Sequence, residues 1–68
     1  MQTEMNPVEI GERLADLRGN RTQQEVANAV GISVSAYSMY ENGQRIPRDN
    51  IKIRLADYFK KPIHKIFF

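Results

Sequence analysis

Sixty-eight residues with ten basic side chains against eight acidic ones, 41% hydrophobic residues and no cysteine make one small domain. A chain this short buries barely enough apolar surface to fold alone, and without cysteine it has neither a disulfide nor a thiolate metal site to help. No apolar run reaches transmembrane length and no signal-peptide pattern opens the chain, which excludes a membrane protein and points to the cytoplasm. There is no low-complexity tract, internal repeat or linker.

Residues 1–6 lack periodicity and read as a loosely attached tail, leaving residues 7–68 as a single domain. Pro7 suits the first turn of a helix whose buried stripe is Ile10, Leu14 and Leu17, with Val8 and Ala15 at its edge. Gly19-Asn20 ends it. Thr22-Gln-Gln-Glu25 fits a capping box: the Thr22 hydroxyl bonds the Glu25 amide and the Glu25 carboxylate reaches back to the Thr22 amide. Val26, Ala27 and Val30 give the second helix an inner face. Gly31 ends it by adopting positive φ without steric cost, and Ile32 plugs the turn. Ser33 is an N-cap for a third helix that runs to about Asn42-Gly43. On that helix Tyr37 and Tyr40 share the inner face, with their hydroxyls at the domain edge, while Ser35, Ser38, Met39 and Asn42 point elsewhere.

After a loop from Gln44 to Arg48, a fourth helix is predicted from Asp49 to Phe59, with Ile51, Leu55, Tyr58 and Phe59 inward. Asp49 is favoured by the dipole at its start and Lys60-Lys61 at its end. Pro62 opens a last short helix with Ile63, Ile66 and Phe67 inward. The pattern gives five helices and no strand. Charge divides unevenly along it. Residues 1–41 hold three basic and six acidic side chains, a net of −3; residues 42–68 hold seven and two, a net of +5. A polyanion would prefer the second half, above all the loop after the third helix.

Two short helices joined at a glycine can lay the second in the major groove of DNA. Thr22-Gln23, Glu25-Val26-Ala27, Gly31-Ile32-Ser33, Glu41-Asn42-Gly43 and Arg45-Ile46-Pro47 resemble the helix-turn-helix of the phage repressor and Cro family, the XRE type. Ile10 to Leu14 with Leu17-Arg18 is similar to that family's first helix, and Leu55 to Phe59 with Ile63 to Ile66 to its fourth and fifth. The Gly19-Asn20-Arg21 connection is shorter than the commonest family form, and Pro62 stands where a serine is frequent. The resemblance implies a compact all-α, lambda-repressor-like DNA-binding domain from bacteria or phage, nucleoid-associated when bound.

By the same resemblance Gln23, Asn42 and Arg45 contact phosphate, with Arg48 and Arg21 as weaker candidates. Base reading falls on Val34, Ser35, Ser38 and Met39, with Ala36 nearby. Glutamines stand at such positions in the best-known members. Valine and methionine cannot bond adenine bidentately but can cover thymine methyls, so an A·T-leaning surface aided by DNA shape is expected. Val34 and Met39 also read as partly core or dimer surface, and Asn42 also as a C-cap. Arg18 and Glu41 match a structural pair between the first and third helices. One reading helix covers few base pairs, so a homodimer on a pseudo-palindromic operator is implied. Ile63, Ile66, Phe67 and Phe68 are its candidate interface, although Ile66 and Phe67 also suit the monomer core.

Catalysis finds no support. His64 is the only histidine, without a cysteine partner, and reads as a surface residue. No phosphate loop, metal-ligand cluster or cofactor site is present in the pattern, and no small-molecule ligand is suggested. The expectation is a non-enzymatic transcriptional regulator, a repressor more than an activator. The alternative is an antitoxin or adaptor that uses the same fold to bind protein. A third reading, the DNA-binding part of a longer repressor, is disfavoured by the compact ending without a linker after Phe68.

Overall fold

A computed structural model of the chain describes residues 6–68. Five helices follow in order: α1 (Pro7–Arg18), α2 (Gln23–Val30), α3 (Val34–Glu41), α4 (Asp49–Phe59) and α5 (Ile63–Phe67). Among the described residues there is no strand, and no helix is long and apolar enough to cross a membrane. The tail expected at residues 1–6 lies outside the described residues except at Asn6. That residue caps α1 instead, its side-chain oxygen accepting from the Glu9 amide at 2.9 Å.

The capping box on α2 forms in both directions. Thr22 Oγ1 accepts from the Glu25 amide at 3.0 Å, and the Thr22 amide donates to Glu25 Oε1 at 2.8 Å. Gly31 then takes φ 78°, ψ 35°, and the Ile32 amide reaches back to the Ala27 carbonyl at 3.0 Å. This is a Schellman closure, which needs a left-handed residue at its centre. Ser33 caps α3 through the Ala36 amide at 3.0 Å. The turn between the two helices is thus set by side chains within it.

α1 packs on α3 and α5, α2 on α3 and α4, and α4 on α5. Ile10, Leu14, Val26, Ala27, Tyr37, Leu55, Ile66 and Phe67 are fully enclosed at 0% exposure. Several expected inward residues are only half-buried against this core: Leu17, Ile51, Tyr58 and Ile63. Ile66 and Phe67 are enclosed in the chain's own core, the second of the two roles open to them, and so leave the candidate dimer surface. Of the four residues expected there, only Ile63 and Phe68 retain accessible area.

Two further departures have local causes. Gly11 is buried because α1 crosses α3 at backbone contact: a Cβ there would sit 2.2 Å from the Glu41 carbonyl oxygen and 2.8 Å from that of Tyr40. Lys52 is buried on α4, its ammonium 5.0 Å from the Phe68 ring centre and 3.9 Å from Asp49 Oδ1. Its methylene stem suits that apolar setting. α4 begins at Asp49 as expected, and its capping position, Arg48, makes no side-chain cap bond.

Candidate nucleic-acid interface

The candidate interface has three parts: the outer face of α3, the N-terminus of α2 and the α3–α4 loop. On α3, Val34, Ser35, Ser38 and Met39 follow the i, i+1, i+4, i+5 spacing of one helix face. Ser35 is exposed, and Ser38 and Met39 are half-buried. Val34 and Ala36 are partly buried against the core, so each offers only part of its side chain. No charged residue stands on α3 before Glu41.

Asn42 is exposed at the end of α3, and its side-chain amide donates to the Ser38 hydroxyl at 3.4 Å. It is the C-cap in right-handed geometry, with Gly43 carrying the positive φ. At the start of α2 the capping box satisfies the Glu25 amide, while the first-turn amides of Gln23 and Gln24 lie outside the helical ladder. Such an end is suited to an anion.

Gln23 is half-buried, and its Nε2 donates to Glu41 Oε1 at 2.9 Å. Its side chain therefore starts from an internal bond instead of standing free in solvent. Glu41 also receives Arg18, with Nε–Oε2 at 2.7 Å and Nη2–Oε1 at 3.1 Å, a two-pronged pair between α1 and α3. A third donor of Arg18, Nη1, reaches the Arg21 carbonyl at 2.8 Å. The Glu41 side chain is 6% exposed. Burial alone would raise its pKa, but the bonds from Arg18 and Gln23 and the nearby Tyr37 hydroxyl outweigh that and hold it below the ordinary value. The bond to Glu41 raises the Arg18 pKa. The Tyr37 hydroxyl is not at the domain edge. It is enclosed beside this pair without a partner in bonding geometry, and burial followed by the Glu41 charge pushes its pKa well up.

The arginines divide into two groups. Arg13 donates to the Lys65 carbonyl, Arg18 is held by Glu41, Arg54 Nη1 reaches the Val30 carbonyl at 3.3 Å, and Arg21 lies 5.2 Å over the Tyr58 ring. These four tie helices together, and Arg21 is thereby turned to the scaffold. Arg45 and Arg48 are exposed, and their side chains make no ion pair or hydrogen bond among the described residues. They flank an open groove of about 460 Å³ whose other walls are Ile32, Tyr40, Ile46 and Ile51. Arg48 is thus as available as Arg45, which sequence ranked above it. Only the structure separates committed from uncommitted arginines, because the partners of the first group are mostly carbonyls and rings. The Gly11 contact had a visible signal: a glycine inside a helix, directly beside an inward isoleucine.

Among the described residues no group of His, Asp and Glu side chains is arranged to hold a metal, and His64 is exposed on α5.

Comparison with known proteins identifies the family. A family model described as helix-turn-helix matches residues 13–66. The chain is 34% identical over 61 residues to the cryptic phage CTXphi transcriptional repressor RstR of Vibrio cholerae serotype O1 (strain ATCC 39315 / El Tor Inaba N16961), covering 87% of this chain and 54% of that one. A second protein of that name from Vibrio cholerae is 34% identical over 56 residues, covering 79% and 50%. The chain spans about half the length of these curated relatives. No solved structure gives a significant match. With five helices in lambda-repressor-like order and the match running from α1 to α5, the chain belongs to the helix-turn-helix family of the phage repressor and Cro (XRE) type.

Proposed function

We propose that the protein is a sequence-specific double-stranded DNA-binding transcriptional repressor that acts by binding, without catalysis. The observation that carries this reading is a face of α3 without charge, flanked by the open end of α2 and by Arg45 and Arg48, whose side chains have no bond among the described residues. Phosphate contacts fix register while an uncharged helix face meets base edges. The repressor named among the relatives supports the same reading.

In this reading α3 enters the major groove. Ser35 and Ser38 exchange hydrogen bonds with base edges. Met39, with the accessible parts of Val34 and Ala36, covers thymine methyls, which gives an A·T-leaning site. Gln23, Asn42, Arg45 and Arg48 hold phosphates. Two copies bind a pseudo-palindrome, with Ile63 and Phe68 left as candidates for the shared surface. Cytoplasmic action on the chromosome or a phage genome follows.

Selection of bound sequences from a random duplex library tests this, with affinities then taken at several salt concentrations. Enrichment of a palindrome with half-sites about one helical turn apart supports a dimeric, sequence-specific regulator. Weak binding that vanishes with salt and enriches nothing overturns it, and leaves the antitoxin or adaptor reading to be pursued with protein partners.

A further inference from the structure

Gln23 is where the scaffold meets the open end of α2. Its amide carries two donors on Nε2 and an acceptor on Oε1, and a free glutamine flips between them. Glu41 removes that freedom. A carboxylate without a proton only accepts, so it must face Nε2, and it does so at 2.9 Å across 18 residues of sequence. One Nε2 hydrogen goes to Glu41, which leaves the second as the donor directed away from it.

Glu41 is itself held at both oxygens. Arg18 grips both of its oxygens, at 2.7 and 3.1 Å, and Arg18 is anchored in turn to the Arg21 carbonyl at 2.8 Å. Arg18 also cancels the Glu41 charge, so the carboxylate does not repel an anion at the adjacent helix end. A side chain ordered in advance loses less rotamer entropy on binding.

We propose that Glu41 is a positioning residue for DNA binding: it fixes the amide orientation of Gln23 so that a donor is presented to a phosphate at the start of α2. This rests on the reading of that helix end as a phosphate contact. The Arg18–Glu41 pair then does more than hold α1 to α3; it sets the contact geometry of α2.

The experiment compares the loss caused by Gln23→Ala in the natural protein and in Glu41→Gln. A glutamine at 41 keeps the size and can still accept from Arg18, but it can present either end to Gln23, so the lock is gone. Phosphate contacts do not depend on sequence, so the probe is a mixed-sequence duplex of about 20 base pairs at low salt. Gln23→Ala is expected to weaken binding about tenfold in the natural protein and less than about threefold in Glu41→Gln. Equal losses in the two backgrounds overturn the proposal.

A second readout needs no DNA and no variant. Nitrogen relaxation of the Gln23 side-chain amide in the free protein is expected to report a rigid group, against the exposed Gln44 as the mobile standard. A Gln23 amide as mobile as that of Gln44 overturns the proposal. A rigid Gln23 amide in a protein that leaves the duplex unbound overturns the DNA-binding reading itself, and the positioning role with it.

Discussion

The two halves of the molecule hold their helices in opposite ways. Through α3, every helix begins on a side chain that accepts from its first turn: Asn6 for α1, Thr22 for α2 and Ser33 for α3. After α3, neither helix does; the capping positions are Arg48 and Pro62, without a side-chain bond. The C-terminal half relies on apolar burial of Leu55, Ala56, Phe59, Ile66 and Phe67, and on cations laid over rings. The difference follows from what each half carries. α2 and α3 have eight residues each, too few to be stable by propensity alone, and their ends meet the proposed ligand. Local caps fix those ends in place. Elements that only complete a core can be held from one side.

The largest expected break is at the crossing of α1 and α3. Gly11→Ala puts a methyl against backbone carbonyls that cannot rotate away, so the helices must separate. A loss of about 3 kcal/mol is expected in denaturant unfolding, a large part of the stability of so small a domain. An unchanged unfolding midpoint would mean that α3 is not seated on α1 by backbone contact.

Next is the ion pair that crosses the same junction. Glu41→Arg sets two guanidinium groups side by side in a largely enclosed site, at an expected cost of about 3 kcal/mol. The double exchange Arg18→Glu with Glu41→Arg should recover part of it, whereas strictly additive effects would dissolve the pair. Acid makes the same point without a second charge. The folded pKa of Glu41 lies below its ordinary 4.5, so its stabilisation is complete above that value and is lost as pH falls through the lower, folded one. Unfolding midpoints followed from neutral to acid pH should fall less steeply in Glu41→Gln than in the natural protein; parallel curves would remove Glu41 as a source of acid lability.

The same division explains how much was legible. Caps and turn glycines are local chemistry, so the limits of α2 and α3 could be read from Thr22, Glu25, Gly31 and Ser33 before any fold was known. The helix-turn-helix resemblance rests on those same residues. Periodicity recovered α4 and α5, but not which residues reach the centre: Ile51 and Tyr58 stay half-buried while Lys52 is enclosed, because its neighbours come from α5. Asn6 was hidden by the lack of periodicity before it, although asparagine ahead of proline is a cap signal. At the interface, the residue types were legible and their commitments were not. Nothing in the sequence says that Gln23 is bonded to Glu41, or that Arg21 lies on Tyr58 while the Arg48 side chain has no bond among the described residues.

Thr22→Ala tests the capped half at a smaller scale. It removes the acceptor for the Glu25 amide and half of the capping box, for an expected loss of about 1 kcal/mol. Hydrogen exchange should show α2 opening more readily while α4 and α5 are little changed. A uniform loss over all helices would mean that the cap serves the whole fold rather than its own helix.

The smallest effect is expected in the other half, and with the opposite sign. α2, α3 and α4 all end in the same closure, with an amide two or three residues past the helix reaching back: Ile32 to Ala27, Gln44 to Met39 and Lys61 to Ala56. The central residue is left-handed each time. For α2 and α3 it is Gly31 and Gly43; for α4 it is Lys60, at φ 58°, ψ 44°. A residue with a Cβ pays a steric penalty there that glycine does not. Lys60 is exposed, so its side chain has little packing to lose. Lys60→Gly should therefore stabilise the domain by about 0.5–1 kcal/mol, less the entropy that glycine adds to the unfolded chain. The change would appear as a higher midpoint in thermal unfolding. A lower midpoint would mean that the Lys60 side chain supports the end of α4 through its charge, as cations do at a helix C-terminus, by more than its backbone strains it.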